Sequence, residues 1–111
     1  MSNPLKRKGD AAELEAARII HDLLGFPARR KLGAGRLDDT GDIDGVPDTV
    51  VQVANWADVA RAAREKPKGA EAQRINDGVT HAATFVRFRG GTWRVVLTPE
   101  QWATLVREAI R

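Results

Sequence analysis

The chain has 111 residues, of which 42% are hydrophobic and 30% charged, with no cysteine and a formal net charge of +3. This suits one domain with one core. It excludes a disulfide scaffold and a thiolate metal site, and no apolar run is long enough to span a bilayer.

Met1–Lys8 is polar and basic and reads as a flexible arm, leaving 9–111 as a single domain. It has no signal-peptide pattern, so a cytoplasmic setting is expected. Asp10 is a predicted N-cap, with Glu13 three residues on as in a capping box. The helix is expected from about Ala11 to Leu24, with Leu14, Ala17, Ile20, Leu23 and Leu24 facing the core. Gly25 then serves as the C-cap, and Pro27 blocks continuation.

Ala28–Leu32 is expected to form a first strand and Gly33–Thr40 a glycine-bearing loop. Gly41–Ile43 reads as short and extended. Thr49–Ala54 is the clearest strand: three valines, with Gln52 interrupting an otherwise apolar run. Such a run suits a central strand covered on both faces, where a buried amide needs a partner or a ligand. Asp58–Lys66 reads as a helix that Pro67 breaks or kinks, with Ala70–Ile75 resuming it. Ala82–Arg89 and Thr92–Leu97 flank Gly90-Gly91, a hairpin signal. Thr98 and Pro99 open a last helix, for which Trp102, Leu105, Val106 and Ile110 supply an apolar stripe. The predicted order is α-β-β-β-α-β-β-α, a mixed α/β sheet flanked by helices.

Basic residues cluster around the middle of this order. Lys8 lies before the first helix. Arg29, Arg30, Lys31 and Arg36 flank the loop before Asp42, and Arg61, Arg64 and Lys66 follow Asn55. Such clusters suit a phosphodiester ligand, because Lys and Arg displace the counterions around phosphate. They are equally what an arginine-rich solvated surface looks like.

Four features carry a family resemblance: Gly9 with Glu13 four residues later; Gly41-Asp42-Ile43 followed by Gly45-Val46-Pro47; the nine residues between Asp42 and Gln52; and the closing strand and helix from Thr92 to Ile110. Together they resemble the PD-(D/E)xK restriction-endonuclease-like superfamily. Within it, the likeness is to the Holliday-junction-resolvase-like nucleases of actinobacteria and their phages. The resemblance implies a restriction-endonuclease-like sheet and an ancestry in Mg²⁺- or Mn²⁺-assisted phosphodiester hydrolysis. It also implies DNA, duplex or branched, as partner, and a homodimer.

Carried over by position, Glu13 and Asp42 match the family's metal-binding carboxylates, and the backbone carbonyl of Val53 is a further ligand. Gln52 stands where the strand glutamate is expected and Ala54 where the lysine is expected. An amide brings no charge to a cation and a methyl does nothing electrostatic, so cleavage is expected to be weak or absent. A displaced basic group from the following helix, Arg61, Arg64 or Lys66, is the one escape.

Without the resemblance, Glu13 is a capping-box residue, Asp42 and Asp44 are turn residues, and the three tryptophans belong to the core. Only Trp56, beside the expected pocket, is a candidate for contact with a ligand. Three functions remain open: a DNA-binding protein with a degenerate nuclease site, an active metal-dependent endonuclease, and a phage-type module that binds a host protein.

Overall fold

The computed structural model describes residues 4–31 and 42–111, with side chains from Lys8 onward. Arg36, Gly41 and the glycine-bearing loop lie outside the described residues. The elements are α1 (Pro4–Leu24), β1 (Arg29–Arg30), β2 (Ile43–Asp44), β3 (Thr49–Ala54), α2 (Val59–Asp77), β4 (His81–Phe88), β5 (Thr92–Val96) and α3 (Pro99–Ala109). The predicted order is found. The five strands form one sheet in the order β1-β2-β3-β4-β5, antiparallel except for the central β3–β4 pair, which is parallel.

β3 is covered on both faces, as its valine run requires. Val51 and Val53 pack with Ala12, Ala16, Ala17 and Ile20 of α1. On the opposite face Val50 meets Ala70 of α2, and Ala54 meets Ala62 of α2 and Val86 of β4. Alanines at the contact points let both helices sit close to the sheet. The parallel register is pinned at its start by Asp48, which adopts a left-handed backbone (φ 53°). Its side chain accepts from the Thr80 amide at 3.0 Å, and its carbonyl accepts from His81 N at 3.1 Å.

Three expectations for the first two helices need correction. α1 begins at Pro4, not Ala11, so most of the expected arm is helical. Pro is tolerated in a first helical turn, and the Lys/Arg run that follows has good helix propensity; Gly9 costs about 1 kcal/mol there without stopping the helix. Asp10 and Glu13 are therefore interior helix positions rather than a cap and its box. Leu14, Leu23 and Leu24 are exposed, and only Ala17 and Ile20 of the expected stripe are buried. The helix has settled on its small residues, which allow the closest approach. Finally, Pro67 sits inside a continuous α2. An interior proline costs about 3 kcal/mol; burial of Pro67, packing of Ala70 on Val50 and Ala82 of the sheet, and the bond from Gln101 Nε2 to the Pro67 carbonyl (3.3 Å) offset it.

The remaining boundaries follow the expected local chemistry. Asp58 caps α2 by accepting from Arg61 N at 3.0 Å. Thr98 and Gln101 form a reciprocal capping box on α3. Gly90 and Gly91 both take positive φ at the tip of the β4–β5 hairpin, in a 3-10 turn over Arg89–Gly91. Gly45 (φ 99°) lies so close to the chain entering β1 that an added Cβ would stand 2.6 Å from the Pro27 carbonyl oxygen. The stripe of α3 is not core: Trp102, Leu105 and Ile110 are exposed, and the helix is held through Gln101 instead.

Candidate functional site

Two carboxylates expected from sequence do come together. β2 pairs antiparallel with β3 through Ile43 and Val51, and the Asp42 amide donates to the Val51 carbonyl at 2.8 Å. This sets Asp42 at the head of β2, where its Oδ2 accepts from the Val53 amide at 2.8 Å. Glu13 reaches the same corner from α1. Its carboxyl is held above the usual carboxylate range, first by burial and then by the negative charge of Asp42.

A cation already sits among these acids. Arg30 Nε donates to Glu13 at 3.2 Å, and its Nη2 lies 2.7 Å from Asp10. The hydrogen bond and positive charge of Arg30 pull the Glu13 carboxyl down, against burial and Asp42. Arg30 was expected to meet phosphate; it is instead the counter-ion of the acidic corner. Arg29 beside it is exposed on β1.

The other two motif positions do not join that corner. Gln52 and Ala54 alternate with Val51 and Val53, so they face α2 rather than α1. Ala54 is 1% exposed, wedged against Ala62 and Val86, and borders no hollow. Gln52 is 3% exposed in a polar cluster. Its Oε1 accepts from Lys66 Nζ at 3.0 Å, and its Nε2 donates to Gln73 Oε1. The amide that the sequence left without a partner is thus satisfied by two residues of α2. Thr84, paired with Gln52 across the parallel register, is fully buried, and its hydroxyl has no partner among the described residues.

The donor set does not fit a catalytic divalent ion. Mg²⁺ and Mn²⁺ demand several hard oxygen ligands, mainly anionic. Glu13 is neutralised by Arg30, Asp42 is engaged by a backbone amide, and the Gln52 oxygen is taken by an ammonium. Among the described residues no three His, Cys, Asp or Glu side chains gather as metal ligands.

Beside the acidic corner lies a basic hollow, at the C-terminal ends of the parallel strands β3 and β4. Ligands of open α/β sheets are commonly held at such an end. Two cavities of about 500 and 300 Å³ share Lys8, Asn55, Trp56 and Ala57 as walls. Gly9, Val53 and Arg61 close the larger one; Arg87, Arg89 and Gly90 close the smaller. Four cations thus face one lining carboxylate, Asp58. Trp56 is 37% exposed, and the Arg61 guanidinium lies 5.8 Å from its ring centre. Arg61 also meets Glu65 at 2.7 Å, and Arg87 meets Glu15 at 3.4 Å. These are surface pairs that an incoming phosphate displaces at little cost. Arg64 points outward, 3.8 Å from Glu65.

Arg87 and Arg89 were not among the expected contacts. Their signal was present: two arginines flanking the entry to the Gly90-Gly91 turn. Only the parallel pairing of β3 with β4 shows that this turn borders Trp56. Comparison with protein-family models, with curated proteins and with solved structures found no match to this chain.

Proposed function

We propose that this chain is a DNA-binding protein on a restriction-endonuclease-like scaffold whose phosphodiester-cleaving site is degenerate. The observation that carries the reading is the basic hollow: Lys8, Arg61, Arg87 and Arg89 ring an exposed tryptophan beside the Glu13/Asp42 corner. Phosphates bind there by displacing counterions, and the contacts read backbone rather than sequence. The resemblance supplies the scaffold and the DNA class, and Arg30 among the acids accounts for binding without cleavage. In this reading the protein works in the cytoplasm of a bacterial cell or of a phage-infected host, and pairs as a homodimer.

The test is fluorescence anisotropy with labelled duplex and four-way DNA across a salt series. Binding is expected to weaken steeply, with a log–log slope of about −3 to −4 if all four cations meet phosphates. Undetectable or salt-independent binding overturns the reading.

Incubation of branched DNA with Mn²⁺ tests the degenerate site directly. No product is expected at high protein concentration, because Lys66 bonds Gln52 on the α2 face of β3, away from the Glu13/Asp42 corner. Product that disappears in Asp42→Ala overturns the degenerate-site reading in favour of an active endonuclease.

A further inference from the structure

We infer that the Trp56 hollow is a seat for an unpaired nucleotide, so that the protein prefers single-stranded or locally unpaired DNA to plain duplex. This rests on the DNA-binding reading and specifies what that site takes.

The inference starts from Trp56 itself. A tryptophan serving only the fold is expected to be covered and to place its indole N–H on an acceptor. Trp93 does so: it packs at 6.4 Å from the Phe85 ring, and its Nε1 donates to Glu15 at 2.7 Å. Trp56 does neither. It stands in the β3–α2 connection, is 37% exposed, belongs to no core cluster, and makes no indole hydrogen bond among the described residues.

What surrounds it matches the chemistry of a nucleotide part by part. A base presents a π-face, for which the indole is a stacking partner, and an Arg guanidinium over an aromatic ring extends that platform. The Arg61 guanidinium lies 5.8 Å from the ring centre. A base edge presents donors and acceptors, and the Asn55 amide lines both cavities with one of each. The phosphates on either side need cations. Lys8 and Arg89, which have no carboxylate partner among the described residues, stand with Arg61 and Arg87 around the rim. The cavities, about 500 and 300 Å³, are in the range of small-ligand sites. A fully paired duplex keeps its bases stacked inside and can use only the cations. A strand with a free base can use the ring as well.

The test compares labelled oligo-dT with duplex of the same length, by anisotropy, on the full chain and on Trp56→Ala, Trp56→Phe and Arg89→Gln. Trp56→Ala is expected to weaken oligo-dT binding roughly tenfold or more while leaving duplex binding within about twofold. Trp56→Phe keeps a π-face and most of the affinity. Arg89→Gln weakens both DNAs alike. Intrinsic fluorescence gives an independent signal: oligo-dT quenches the natural protein, and Trp56→Phe loses most of that quench. Unchanged thermal melting of Trp56→Ala, expected for an exposed side chain, shows that the fold is intact. Duplex binding with no preference for oligo-dT, or equal effects of Trp56→Ala on both DNAs, overturns this inference and leaves the DNA-binding reading standing. Failure of the natural protein to bind either DNA removes both.

Discussion

Among the described residues, the hollow around Trp56 and a second polar hollow differ in how their charges are set. The one between α2, β4 and α3 has a volume of about 350 Å³ and is lined by Glu71, Arg74, His81, Glu100, Gln101 and Arg107 among others. Its lining balances two arginines, Arg74 and Arg107, against two carboxylates, Glu71 and Glu100. Arg74 Nε donates to Glu71 at 2.9 Å, Gln101 Nε2 donates to Glu71 at 3.0 Å, and His81 lies 2.8 Å from Glu108. The hydrogen bond from Arg74 holds the Glu71 carboxyl below the usual range. Around Trp56, by contrast, cations outnumber the single lining carboxylate. An overall excess of +3 says little about a ligand; what matters is where on the surface cations outnumber carboxylates.

The largest effect that can break this contrast lies in DNA affinity. The triple variant Lys8→Gln/Arg61→Gln/Arg89→Gln should lower duplex affinity by roughly 10²-fold or more at low salt and reduce the salt slope by about one per cation removed. Arg74→Gln/Arg107→Gln, which removes two cations from the other hollow, should leave both quantities nearly unchanged. Equal losses from the two sets would mean that the contrast has no bearing on binding.

Next in size is stability. Gln101→Ala removes the α3 capping box and the bonds to the Pro67 carbonyl and Glu71, and should cost about 1–3 kcal/mol in urea unfolding without touching DNA affinity.

The smallest expected effect is a pair of opposite pH dependences. Glu13 titrates above its ordinary value, so its folded form holds its proton more tightly than the unfolded chain does. That contribution to stability is complete below the unfolded value of 4.5 and is lost as pH rises through the folded value. Glu71 is shifted down, so its contribution is present above 4.5 and is lost as pH falls through its lowered value. Urea midpoints between pH 3 and 7 should therefore respond to Glu13→Gln and Glu71→Gln with slopes of opposite sign. Arg30→Gln should steepen the Glu13 dependence by leaving that carboxylate beside Asp42 without its counter-ion. Parallel slopes for the two glutamate variants would contradict the assignment.

What the sequence made legible was local. The valines of β3, the Thr98 cap, Gly25 closing α1 and the two glycines of the hairpin each act through neighbours in the chain, and each is found in place. Choices between equivalent local options were not legible. α1 offers leucines and alanines to the sheet, and only the tertiary approach distance selects the alanines. Pro67 has a local cost that burial overrides. The candidate site divides in the same way. The approach of Glu13 to Asp42 was an expectation of the resemblance alone, which also expected Gln52 and Ala54 in that corner, where they are not found. That Lys66 and Gln73 satisfy Gln52, that Arg30 is given to Asp10 and Glu13, and that Arg87 and Arg89 border Trp56 all depend on contacts between elements distant in the chain.

Gly45 carries a wider consequence. It touches no reacting group, yet its bare backbone nests against the Pro27 carbonyl just before β1. β1 is two residues long, and its second residue is Arg30. A side chain at 45 would clash with the Pro27–Ala28 backbone that leads into Arg30, so Gly45→Ala is expected to disturb the contacts of Arg30 with its two acids. A position with no chemistry of its own thus helps to seat the counter-ion of Glu13, through the backbone alone.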